Sequence, residues 1–207
     1  MKAIKILTFG FLLSTFASSQ EIGISASQLW TDSKILQKPI GYGVYVSKNL
    51  SRYFSAKLSY EYIYNERNYY GTLSTWMDLN HVYETIHTSA TANLWKLSLS
   101  LIPYHSEIFL VSGGFTLSTN NFSSDTRGQQ TNRQSKISGE QKFGIGYVFL
   151  VQLFPIQSFP LAININGSRE FLNRALIIAT DVSEYQVSFY NSINISKFQI
   201  GLGYIIN

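Results

Sequence analysis

The chain has 207 residues, with 16 Lys and Arg against 12 Asp and Glu, and no cysteine. Thiol catalysis, zinc-thiolate sites and disulfide staples are excluded, and no basic stripe marks a nucleic-acid surface. Charged residues are only 14% of the chain while aromatics reach 15%, too little charge for a surface covered by water alone, because soluble domains carry roughly a quarter.

Lys2 and Lys5 precede an apolar run from Ile6 to Phe16, and Ala17-Ser18-Ser19 supplies the small residues a signal peptidase reads. This pattern predicts a secretory signal over residues 1–19, cut before Gln20, and leaves one domain over residues 20–207. The apolar run is too short to anchor the chain across a bilayer. Loss of Lys2 and Lys5 leaves 14 basic residues against 12 acidic ones, a net charge of +2.

No later apolar stretch is long enough for a transmembrane helix; period-two alternation recurs instead, the mark of strands with two unlike faces. Weaker segments lie at Ile22–Trp30 and Ile40–Lys48. Phe54, Ala56, Leu58, Tyr60 and Tyr62 then alternate with Ser55, Lys57, Ser59 and Glu61, and Trp95, Leu97, Leu99 and Leu101 with Lys96, Ser98 and Ser100. The pattern returns at Phe109–Leu117 and at Phe143–Leu153, where the longest apolar stripe stands opposite Lys142, Gly144 and Gly146. It ends with Leu161–Ile165, Tyr185–Phe189 and Phe198–Ile206.

Short connections at Lys48–Arg52, Ile102–Ser106 and Pro155–Pro160 alternate with longer polar ones at Thr31–Pro39, Asn65–Glu84, Thr119–Gly139 and Arg169–Ser183. That is the order of periplasmic turns and extracellular loops in outer-membrane barrels, and Thr119–Gly139 reads as a mobile exposed loop. Nine segments are visible, and single-chain bacterial barrels use even numbers. Eight strands result if Tyr185–Ile195 and Phe198–Ile206 form one strand that changes face at Ser196-Lys197 through a β-bulge, with ten as the alternative. The polar face is mostly Ser, Gly, Asn and Thr, which suits a narrow lumen better than open water. The fold class is therefore all-β, an antiparallel up-and-down transmembrane β-barrel in contact with outer-membrane lipid. A soluble lipocalin-like binder is the alternative.

The last strand, Phe198-Gln-Ile200-Gly-Leu202-Gly-Tyr204-Ile-Ile206-Asn207, carries a resemblance. The mature chain resembles the small outer-membrane β-barrels of Gram-negative bacteria, the OmpA-like and OmpX-like group. The resemblance implies an outer-membrane location and a last strand read by the barrel-assembly machinery, although here the chain ends in Asn207 where that group has an aromatic. The group holds surface adhesins, structural anchors and a few lipid-modifying enzymes, so it implies location more than activity.

By parity Lys57, Glu61 and Lys96 face the lumen. Aligning Phe54 with Leu101 puts Lys96 near Ser59, so Glu61 is expected to bond Lys96, Lys57 or both in a structural polar network, because buried ions need partners. His87-Thr-Ser89 is the one pair suggesting nucleophilic catalysis. It is similar to the His-x-Ser pair of outer-membrane lipid A deacylases, but Ala90 follows where that family has Asn, and no acidic orienter is assigned. His81, His87 and His105 lack metal-site spacing. No catalytic set, metal or cofactor is expected, and no ligand or envelope partner is named by the residues. The expected function is a non-enzymatic barrel with a filled lumen and long external loops, serving a structural, adhesive or partner-binding role.

Overall fold

The structure, a computed structural model, describes residues 20–31, 38–71, 82–156, 159–173 and 193–206, with residues 135, 137–142, 172, 173 and 193 described by their backbone alone. The signal at 1–19 and the Tyr185–Phe189 alternation lie outside these residues. Eight strands follow one another: β1 (Gln20–Thr31), β2 (Ile40–Asn49), β3 (Phe54–Gly71), β4 (Glu84–His105), β5 (Phe109–Gly128), β6 (Gln134–Leu153), β7 (Leu161–Asn173) and β8 (Ile193–Ile206). Each pairs antiparallel with its chain neighbour, and β1 pairs with β8 to close the barrel. Closure leaves no sheet edge along the shared height of the strands. Phe54 stands opposite Leu101 and Ser59 opposite Lys96, the register expected from the alternation.

Side chains alternate as a pleated strand requires. Phe115, Leu117, Ile145, Phe149, Ile200 and Leu202 are exposed outside, while Thr116, Ser118, Lys197 and Gln199 are buried inside. The eight strands agree with the sequence count, but β8 reaches that number differently. It shows no register shift against β1 or β7, and Lys197 keeps the inward phase of Gln199. The expected face change at Ser196-Lys197 does not occur. Ile195 is apolar and points inward, into an interior apolar cluster, so it imitates an inverted strand without being one.

The long polar stretches are also corrected. Residues 119–128 belong to β5 and 134–139 to β6, so the expected mobile loop is a hairpin whose turn covers only 129–133. Its backbone is closed by Gly128 N–H donating to Arg133 O at 2.9 Å, and Asn132 adopts a left-handed φ of 53°, which Asn tolerates better than most residues. Likewise β3 continues through Gly71, β4 through His105 and β7 through Asn173. Register shifts at Leu101/Tyr104, against β5, and at Phe122/Ser124, against β6, place an extra residue in β4 and in β6. Among the described residues β3 to β6 run past their neighbours: β2 pairs with β3 as far as Ile40–Tyr64, and β7 with β6 as far as Asn173–Phe143. Among the described residues a four-stranded sheet therefore rises from one rim.

Candidate functional site

The interior is built in layers. At the short-turn rim a cavity of about 510 Å³ opens between a polar floor containing Glu21 and Gln152 and a wall containing Phe154, Ile156 and Phe159. Glu21, on β1, is buried and its carboxylate accepts four hydrogen bonds from three other strands. The donors are Tyr45 Oη at 2.7 Å, Ser47 Oγ at 3.0 Å, Gln152 Nε2 at 2.7 Å and Asn164 Nδ2 at 2.6 Å. Four donors on one carboxylate offset the loss of its water shell. Glycines make the room: a Cβ at Gly203 would run into the Glu21 carboxylate, and one at Gly23 into the Tyr45 ring.

Two ion pairs cross the next layer. Lys197 Nζ donates to Glu61 Oε2 at 2.6 Å, and Lys96 Nζ to Glu170 Oε1 at 2.9 Å, with all four side chains buried. Ser27 Oγ also donates to Glu61. Lys57, Glu61 and Lys96 thus all face the lumen, but Glu61 takes Lys197 rather than Lys96 or Lys57 as its hydrogen-bonded partner, and Lys96 takes Glu170. Lys57 Nζ lies 3.8 Å from the centroid of the Tyr45 ring and makes no hydrogen bond. The partners come from strands far away in sequence, so their pairing depends on barrel curvature, which adjacent-strand parity does not encode. Glu170 was hidden in a stretch that reads as loop, and Lys197 at the supposed bulge. Glu21 lay just before the weakly patterned segment Ile22–Trp30, where β1 already runs from Gln20. A lone charge at an inward position of each such segment was the available signal.

The third layer is apolar. Leu29, Ile63, Ala90, Ala92, Leu94, Phe122 and Ile195 form one buried cluster on the long-loop side of the ion pairs. Each of β1, β3, β4 and β8 contributes the inward residue two positions beyond its polar one: Leu29 after Ser27, Ile63 after Glu61, Leu94 before Lys96, Ile195 before Lys197. The cluster fills the lumen at that level with apolar side chains.

Beyond it, Glu84 fastens the hairpin turn. Its carboxylate accepts the backbone N–H groups of Gln130 at 2.6 Å and Thr131 at 2.9 Å, together with the Thr131 hydroxyl. These bonds, the Thr131 hydroxyl first, hold the carboxyl below its ordinary range. Because the folded value is depressed, this stabilisation is present above the unfolded glutamate value and is lost as pH falls through the folded one. Protection of the Gln130 and Thr131 amides from hydrogen exchange should therefore drop on acidification below about pH 4.3. At neutral pH, Glu84→Ala should speed tryptic cleavage after Arg133; equal cleavage rates would show that the clamp does not hold the turn.

His87 and Ser89 point outward, as parity requires. His87 Nδ1 is 2.8 Å from Asn68 Oδ1 and Nε2 is 3.4 Å from Glu66 Oε1. Both ring nitrogens are engaged by β3, so neither is directed at Ser89 as a general base would be. Among the described residues no group of three or more His, Cys, Asp or Glu could hold a metal ion.

No protein-family model and no curated protein matches the chain. Solved structures do. A major outer-membrane protein of Thermus thermophilus superposes with a TM-score of 0.61 at 12% identity, covering 90% of this chain and 99% of that one. The outer-membrane protein OprG of Pseudomonas aeruginosa gives 0.53 at 10% identity, covering 92% and 97%. The attachment invasion locus protein Ail of Yersinia pestis gives 0.51 at 15% identity, covering 91% and 97%. The fold is that of the small outer-membrane β-barrels. The similarity runs the length of each barrel, while identities this low carry the fold and leave the chemistry of each barrel to its own residues.

Proposed function

We propose that the chain is an exported outer-membrane protein, freed of residues 1–19, that spans the membrane as a closed barrel. It works through the sheet raised beyond the membrane, as a structural, adhesive or partner-binding surface protein. The observation that carries this reading is the filled interior, in which two buried ion pairs lie beneath an apolar cluster. A pore needs the opposite, a polar channel from rim to rim. Lipid contact is supported by the outer band, where Leu97, Leu99 and Leu101 on β4 and Phe143, Ile145, Tyr147 and Phe149 on β6 face outward, the β6 stripe approaching the roughly ten residues a tilted strand needs to cross. Above that band β4 and β5 turn outward polar groups such as Asn93, Thr91, Asn121 and Ser123. Pairing continues there because backbone hydrogen bonds need no apolar face. Among the similar structures, the Yersinia protein is one named for attachment and invasion.

The absence of cysteine makes orientation directly measurable. Gln129→Cys, in the β5–β6 turn, should react with a membrane-impermeant maleimide on intact cells. Ser51→Cys, in the β2–β3 turn, should react only after the outer membrane is permeabilised. The reverse pattern would invert the topology, and recovery of the protein in a detergent-free periplasmic extract would end the membrane reading.

A further inference from the structure

The outward face of the sheet beyond Trp95 has a composition that neither lipid contact nor barrel closure requires. In register across four strands lie Asn68, His87, Arg127 and Gln134, and beside them Glu66, Ser89, Asp125 and Lys136. These side chains hold one another in place. Asn68 Oδ1 lies 2.8 Å from His87 Nδ1, Arg127 Nη2 donates to Asp125 Oδ2 at 3.0 Å, and Gln134 Nε2 lies 3.0 Å from both Asp125 oxygens. At the far edge Tyr70 and Tyr83 stack with ring centroids 6.2 Å apart and an interplanar angle of 23°, and they are 73% and 61% exposed. Two tyrosines so open to water are not part of a core. They expose rigid ring faces that lose little conformational freedom on binding.

We infer that this face is a carbohydrate-binding surface for a neutral glycan, with the Tyr70–Tyr83 pair stacking against the apolar C–H face of a sugar ring. The planar amide, carboxylate, guanidinium and imidazole groups beside it offer the donors and acceptors that sugar hydroxyls need. The charge balance selects the neutral class: Glu66 and Asp125 offset Arg127 and Lys136, so a polyanion finds no net positive field. A flat sheet face suits an extended chain of sugars better than a small enclosed ligand. The inference rests on the reading that this end of the barrel faces outward from the cell.

The purified full-length barrel, in a zwitterionic detergent that carries no sugar, should be applied to an array of neutral and sulfated glycans at low and high salt. Retention on neutral glycans at both salt levels is expected. Tyr70→Ala and Asp125→Ala should each weaken it about tenfold, while Tyr70→Phe, which keeps the ring, should restore it. Retention only on sulfated glycans with release by salt, no retention at all, or indifference to Tyr70→Ala would overturn the proposal. Maleimide labelling of Gln129→Cys on cells reports orientation independently, so a failure of the topology and a failure of the glycan site are separable.

Discussion

Glu61→Gln should destabilise the folded barrel by on the order of 3 kcal/mol, because it leaves the Lys197 ammonium buried without its carboxylate. Lys197 Nζ is 2.6 Å from Glu61 Oε2, and both side chains are almost wholly shielded from solvent, at 2% and 3% exposure. Breaking one partner of such a pair costs more than removing both, since the remaining charge keeps its desolvation penalty. The double variant Glu61→Gln with Lys197→Met should therefore recover much of the loss. Denaturant unfolding in lipid vesicles measures both. A single variant as stable as the parent, with Lys96→Met equally silent, would show that the ion pairs are not structural. The Glu170 carboxylate gives an independent arm, because it pairs with Lys96 in the same layer.

Phe115→Arg should cost about 2–4 kcal/mol in a bilayer. Phe115 is 75% exposed on the outside of β5, with Leu99 and Tyr147 beside it in register, and at mid-height of the apolar band a guanidinium cannot reach water without dragging it into the hydrocarbon. In small detergent micelles the same substitution should cost much less, because the head groups lie closer. Unfolding free energies compared between the two media test the lipid contact itself. Equal, small losses in both would argue that this face meets water.

Where strands lie in the apolar band, the sequence is legible for a physical reason: one face meets a medium that refuses polar groups, so alternation is enforced. Phe54–Tyr62 and Trp95–Leu101 show it clearly, and their register followed from it. The same reasoning explains the misreading of Thr119–Gly139. Its strands are held by backbone bonds while Asn121, Ser123, Asp125 and Arg127 face outward and polar groups also face in, so nothing in the side-chain pattern distinguishes them from loop. Ile195 misled in the opposite direction, since an apolar residue turned inward breaks the rule that the lumen is polar. The interior charges were visible as outliers at Lys57, Glu61 and Lys96, but the partners Lys197 and Glu170 come from β8 and β7, across the barrel. Pairing across a lumen depends on how the sheet curls, which local alternation does not record.

A lumen closed by side chains should carry no ion current, which planar-bilayer recording measures. Insertion should first be established in the same preparation by cleavage after Arg133 from one side only. With insertion shown, the current should remain at the protein-free baseline, without discrete steps, because Leu29, Ile63, Leu94 and Ile195 seal the path above the ion pairs. Reproducible unitary conductance from the inserted parent protein would contradict the plug and return the barrel to the class of open channels.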